Sequence, residues 1–275
     1  MRDPLTLWQG ASCLFFLYTI GVALLRGPAA RRRFALVMSA TGLAATACSL
    51  AIPRTAWLHD WLLPPSLLLL GYWSSGALFT APMSRAEAML MAADRRLGIS
   101  NCAIPRLVAE LLEAAYVSVY AIVGIAFVLH LVLTPSPSPD RFWSVVLITD
   151  FLCFAMLPWI QTRPPRALEA RDPWRSSVRR LNLRLLGATS IHANTFPSGH
   201  AAEAIATALL VVGAPVPVVC AMFVSALAIS AGAVLGRYHY ALDALAGWLV
   251  AVVVWLVVTW LFTPPGTLTH LWVVR

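Results

Sequence analysis

Residues 198–262 read SGHAAEAIATALLVVGAPVPVVCAMFVSALAISAGAVLGRYHYALDALAGWLVAVVVWLVVTWLF, three apolar stretches parted only by Ala214-Pro215-Val216-Pro217 and by Gly236-Arg237-Tyr238. The stretches, 198–214, 216–236 and 239–262, are about the length a helix needs to cross roughly 30 Å of hydrocarbon. Breaks this short force antiparallel neighbours within one bundle. Working outward, stretches of the same kind fall at 5–25, 34–53, 62–81, 106–133 and 142–160. The reading is an all-α integral membrane protein, a helical bundle of about eight transmembrane spans.

Composition agrees. Of 275 residues, 60% are hydrophobic and 12% charged, with a mean hydropathy of +0.77, more apolar surface than a water-soluble globule can hide. All 20 basic residues are arginine, which excludes lysine Schiff-base chemistry and leaves phosphate recognition to guanidinium groups. The net charge of +8 sits in short loops between spans, so anionic membrane headgroups and phosphorylated lipids are the expected partners, with no nucleic acid. Cys13, Cys48, Cys102, Cys153 and Cys220 form no CxxC pair and read as small apolar residues, neither a disulfide frame nor a zinc site. The stretch 5–25 is preceded by Arg2 alone and followed by Arg31, Arg32 and Arg33, which suits a retained first span better than a signal peptide.

Two loops are expected to carry helices of their own. Ser84 with Glu87 forms a capping-box pattern and Gly98 is placed to end a surface helix over 85–97. Asp172-Pro173 reads as an N-cap followed by a first-turn proline. Trp174, Val178, Leu181 and Leu185 then share a face up to Gly187, with arginines around the rest: an amphipathic interfacial helix in the loop 161–197.

Three polar segments interrupt the apolar pattern: Gln161-Thr-Arg-Pro-Pro-Arg166, Thr195-Phe-Pro-Ser-Gly-His200 and Gly236-Arg-Tyr-His-Tyr-Ala-Leu-Asp243. An end of span five and the starts of spans six and eight lie at one membrane face if spans alternate. In Pro197-Ser198-Gly199-His200 the unpaired amides of a helix start offer an anion site near Ser198 and Gly199, with His200 beside it. His239 and Asp243 are four apart, so the carboxylate can hold one imidazole nitrogen while the other faces a substrate. Arg163 and Arg166 are forks for phosphoryl oxygens, and Arg237 lies at the same level. A His-x-x-x-Asp pair alone is usually structural; it is the joint placement that points to a site.

These residues resemble the type 2 phosphatidic acid phosphatase family, which shares its motifs with the vanadium haloperoxidases. The resemblance runs through Arg163-Pro164, Pro197 to His200, and His239 with Asp243, over about residues 142–262. It implies that His239 is the nucleophile forming a phosphohistidine, Asp243 its orienter and His200 the general acid. Arg163, Arg166, Ser198, Gly199 and Arg237 are the expected phosphate site, and with arginines and amides where a metal-dependent phosphatase would place carboxylate clusters no metal or other cofactor is expected. Two positions depart: Met156 stands where the family has lysine and Ala233 where it has arginine, and Arg166 and Arg237 are placed to supply those charges. The His-Tyr-x-x-Asp form is similar to the branch of inositol phosphorylceramide and sphingomyelin synthases, which leaves water or a lipid alcohol open as acceptor.

The expected function is hydrolysis of a lipid phosphate; the rivals are a phospho-headgroup transferase and a non-catalytic lipid transporter. Residues 1–104 form an N-terminal extension, 105–263 the catalytic bundle and 264–275 a tail. Around the site, Glu203 shares a helical face with His200, and Glu110 and Glu113 are expected to anchor Arg163 or Arg166. His130 and Asp150 read as interhelical hydrogen-bond partners. By alternation, sixteen arginines share the motif face against four opposite; without the 161–197 loop and Arg237 the surplus is eight against four. That places the site on the cytoplasmic face of the cell membrane, whereas the resemblance favours the outer face.

Overall fold

Thr6 precedes the first apolar run, and its hydroxyl accepts from the Gln9 amide while the Gln9 side chain accepts from the Thr6 amide. This reciprocal cap opens α1 (Leu7–Arg26), and Pro28, with no amide hydrogen to lose, leads into α2 (Ala29–Ser49). The computed structural model describes residues 5–54, 57–99, 104–169, 172–191 and 193–263, so the expected tail and Cys102 lie outside the described residues. The remaining helices are α3 (Trp57–Trp61), α4 (Leu63–Gly76), α5 (Ser84–Arg96), α6 (Arg106–Val117), α7 (Val119–Leu133), α8 (Pro139–Ala155), α9 (Ser177–Thr189), α10 (Gly199–Leu210), α11 (Val216–Leu235) and α12 (Ala241–Phe262).

The chain runs back and forth between two ends. At one end Gln9 bonds Ser49, Arg54 pairs with Asp140, and His130 links Ser138 to the Leu210 carbonyl. At the other, the Arg26 guanidinium lies 4.3 Å over the Trp159 ring, and Gln161 accepts from the amides of Thr80 and Ala81. One apolar cluster joins the two parts of the chain: Phe15 of α1 stacks on Phe151 of α8 at 4.2 Å, so the N-terminal helices share a core with the helices that carry the motifs. Gly247 is required where α12 crosses α10, since a Cβ there would meet the Ser198 carbonyl oxygen at 2.5 Å.

Among the described residues, three helices are long and apolar enough to span a membrane, α1, α11 and α12; a fourth candidate is the pair α6 and α7, bent by 63° at their junction. The other expected spans are shorter or more polar as helices. α10 has 12 residues, about 18 Å of rise, and α4 has 14. α8 stops after 17 residues, and α2 begins with Arg31, Arg32 and Arg33 inside it. Runs of apolar residues set the expected lengths, but helices stop where the chain turns at either end, and this the runs do not reveal.

Both loop helices form, each differently from the pattern. Ser84 is the first residue of α5 rather than its cap, because the Glu87 carboxylate is engaged by Arg163. Gly98 does follow the helix in the left-handed conformation, φ +73°. α9 starts at Ser177, not after Asp172; the Ser176 hydroxyl accepts from the Arg179 amide, and Asp172 binds the Arg179 side chain. Its buried face is Arg179, Asn182 and Leu186, while Leu181 is exposed. The expected apolar face is displaced because α9 lies on α6, whose Glu113 draws the polar side chains inward.

Candidate active site

The three polar segments meet, and main-chain hydrogen bonds align them. The Asn194 amide donates to the Thr162 carbonyl at 2.8 Å, the Arg166 amide to the Arg237 carbonyl at 2.9 Å, and the Ser198 amide to the Asp243 carbonyl at 2.9 Å. The convergence expected from alternation is thus present. It leaves His239 between two partners. Its Nδ1 is 3.3 Å from Asp243 Oδ2 and its Nε2 is 3.4 Å from His200 Nδ1. Asp243 is fully buried and also accepts from the Asn194 side chain at 2.8 Å. A carboxylate acceptor at Nδ1 requires the proton there, which leaves the Nε2 lone pair facing His200.

These imidazoles stand at one end of a cavity of about 690 Å³. Arg166, Asp150 and Glu203 line that end as well; farther along, toward Pro65, Val123 and Trp143, the walls are almost wholly apolar. Tyr116 and Tyr120 flank His200, at ring distances of 5.7 and 6.1 Å, and Tyr238 stacks on Tyr116 at 4.1 Å. Arg166 lies over the Tyr238 ring at 5.3 Å and has no carboxylate partner among the described residues. Burial pulls its pKa below the ordinary arginine value. A guanidinium so desolvated attracts an anion more strongly than one in water.

Several expected site residues lie elsewhere than beside the imidazoles. Arg163 does not face the cavity: it forms a two-pronged pair with Glu87, at 3.0 and 2.9 Å, which holds the Glu87 carboxyl below the usual carboxylate range. Arg237 is buried and divided between Asp94 and Glu169, both at 2.6 Å, in a left-handed backbone conformation of φ +63°. For a residue with a side chain that conformation costs about 1–3 kcal/mol, and the two ion pairs hold it. Glu110 and Glu113 anchor neither Arg163 nor Arg166. Glu110 accepts from Ser176, Ser177 and Val178 at the start of α9, and Glu113 accepts from Arg179, Trp174, Asn182 and Tyr238. Ser198 and Gly199 spend their amides within the fold, on the Asp243 carbonyl and the Thr195 hydroxyl.

Sequence reasoning missed three residues and placed a fourth differently. Asn194, one residue before the Thr195–His200 segment, steadies Asp243. Asp94 accepts from the Ala241 amide at 3.0 Å, capping α12, and Glu169 holds Arg237. Asp150, expected to bridge helices, bonds to nothing among the described residues and lines the cavity instead. A carboxylate within an apolar run was the available signal; its direction was not. His130 does bridge helices, as expected.

Against known proteins, a family model described as the PAP2 superfamily matches residues 88–257, more than half of the chain. No curated protein and no solved structure matches.

Proposed function

The chain belongs to the PAP2 superfamily, and from that premise we propose that it is a membrane-embedded lipid phosphatase that cleaves a phosphate monoester or pyrophosphate through a phosphohistidine on His239. Membership supports phosphatase or related phosphotransferase chemistry on lipid phosphates. One observation carries the finer reading: His239 is held between Asp243 and His200 at the charged end of an otherwise apolar cavity. The fatty tail lies along the apolar walls and the phosphate sits between the imidazoles and Arg166. The back-and-forth course of the chain supports eight crossings, with the shorter helices tilted into or packed within the bundle.

The steps follow from the proton inventory. The Nε2 lone pair of His239 forms the N–P bond as the phosphoryl group takes the place of the His200 contact. The docking phosphate anion stabilises a proton on His200; the P–O bond to the lipid breaks, and the leaving oxygen takes that proton. Neutral His200 then takes a proton from water, whose oxygen attacks phosphorus; the N–P bond breaks and phosphate leaves. Asp243 stabilises the positive charge that develops on His239, and Arg166 faces the charge on the equatorial oxygens.

The test uses purified protein in lipid nanodiscs with a chelator present and a lipid monophosphate labelled with ³²P. Release of inorganic phosphate and an acid-labile, base-stable label lost in His239→Ala are expected. Turnover without a histidine-linked label overturns the covalent reading. Adding a lipid alcohol, with a ³²P-labelled phosphodiester lipid as a second donor, distinguishes water from alcohol as acceptor: a labelled lipid product in place of phosphate identifies the headgroup transferase, and no product from either donor identifies a non-catalytic protein.

A further inference from the structure

The cavity end that faces the proposed phosphate holds more acid than a phosphate alone calls for: two carboxyl groups, Asp150 and Glu203, beside one guanidinium, Arg166. Arg163, Arg179 and Arg237, which would redress the balance, are each paired elsewhere. Asp150 is 1% exposed, and neither of its carboxylate oxygens has a hydrogen-bond partner among the described residues. Burying such a group without a donor is costly, and native structures accept that where a ligand supplies the donor. Gly199 lets the carboxylate come close to the α10 start: Asp150 Oδ1 lies 3.4 Å from where a Cβ on Gly199 would stand, beside His200. Glu203, one helical turn along α10 from His200, completes the acidic side of the cavity.

Resting on the lipid-phosphatase reading, we propose that Asp150 and Glu203 form a subsite for an ammonium group carried by the substrate close to its phosphate, so that the preferred substrate is a zwitterionic amino-lipid phosphate. Its cation donates to the bare Asp150 oxygens and offsets the second carboxylate, while its phosphate meets Arg166 and the imidazoles. A substrate without the cation leaves the Asp150 oxygens without a donor in a water-poor cavity.

The experiment compares 1-dodecyl phosphate with its 2-hydroxy and 2-ammonio analogues on the wild-type protein in nanodiscs, with chelator, in one competition assay. The 2-ammonio compound is expected to lead in kcat/KM by about tenfold or more over the unsubstituted one. In Asp150→Asn/Glu203→Gln the ratio of the two is expected to fall toward one. Equal rates for all three compounds on wild-type protein overturn the subsite while leaving phosphate release intact. So does a ratio that survives the double substitution, or a preference that appears only with added divalent cation. Absence of phosphate release from these compounds and from the labelled lipid overturns the parent reading instead. The wild-type arm stands even if the double variant fails to fold.

Discussion

Glu113 on α6 and Asp150 on α8 are both buried carboxylates in apolar helices, and the protein treats them in opposite ways. Glu113 receives four side-chain donors, from Arg179, Trp174, Asn182 and Tyr238, at 2.6 to 3.0 Å. Asp150 receives none among the described residues. The first region is a collar of matched charges: Glu113 with Arg179, Glu87 with Arg163, Asp94 and Glu169 with Arg237. It spends its arginines on aligning loops. The second region, the cavity, keeps its acids and one arginine uncommitted. Satisfied charges mark the parts that hold the site, and unsatisfied ones mark the parts left for a ligand.

The contrast is broken most severely at the imidazole end of the cavity. His239→Ala is expected to lower kcat by about three orders of magnitude or more with little change in thermal stability, since it removes the proposed nucleophile and no member of the collar. A melting-temperature loss as large as that of a collar variant would erase the distinction. Next come the two carboxylates themselves. Glu113→Gln leaves Arg179 buried with a weaker partner and is expected to cost about 3–5 kcal/mol, read as a drop in melting temperature. Asp150→Asn, at a position with no donor to lose, is expected to leave stability unchanged or raised. Similar losses at both positions would show that Asp150 is a structural group.

Asp94→Asn tests how the collar reaches the site. It loosens both Arg237 and the start of α12, two residues before Asp243. A fall in kcat of about tenfold to a hundredfold with KM nearly unchanged is expected, because small misplacement of the nucleophile slows chemistry more than binding. A change confined to KM would contradict that route. Among the arginines, Arg166→Ala is expected to exceed Arg163→Ala in its effect on kcat/KM, measured at saturating and limiting substrate; the reverse would return Arg163 to the phosphate. The smallest effect is one of pH. Arg163 lowers the Glu87 pKa below its ordinary value of 4.5. The pair therefore contributes its stability in full above about that pH and loses it as the pH falls through the lowered folded value. The difference in melting temperature between wild type and Glu87→Gln should accordingly shrink on acidification below pH 4.5.

The meeting of the three polar segments was legible because alternation of apolar runs is a counting argument that local detail does not disturb. His200, His239 and Asp243 came with it, since a spacing of four on a helix fixes a shared face. The pairing of the arginines was not legible. Arg237 finds Asp94 at a separation of 143 residues and Arg163 finds Glu87 at 76, so no local pattern ties them, and a guanidinium near a phosphate motif reads as a phosphate ligand. Nor was the aim of Asp150. α8 is buried on most sides, with Val145, Val146 and Leu147 in succession, so it has no single apolar face from which to tell which way an acid points. The lengths of α4, α8 and α10 were overread for a related reason: apolar residues continue past the helix ends into buried turns.

Three main-chain hydrogen bonds set the alignment of the polar segments, Asn194 to Thr162, Arg166 to Arg237 and Ser198 to Asp243, and none of them uses a side chain. The alignment therefore tolerates exchange of residues within the segments. Met156 and Ala233 stand where the resembling family carries charged residues, yet the Ala233 carbonyl still accepts from the amides of Tyr238 and His239. For an engineer this makes the motif end a reusable socket. The charges around the histidines can be rewritten to suit a different headgroup while the backbone keeps the two imidazoles in register.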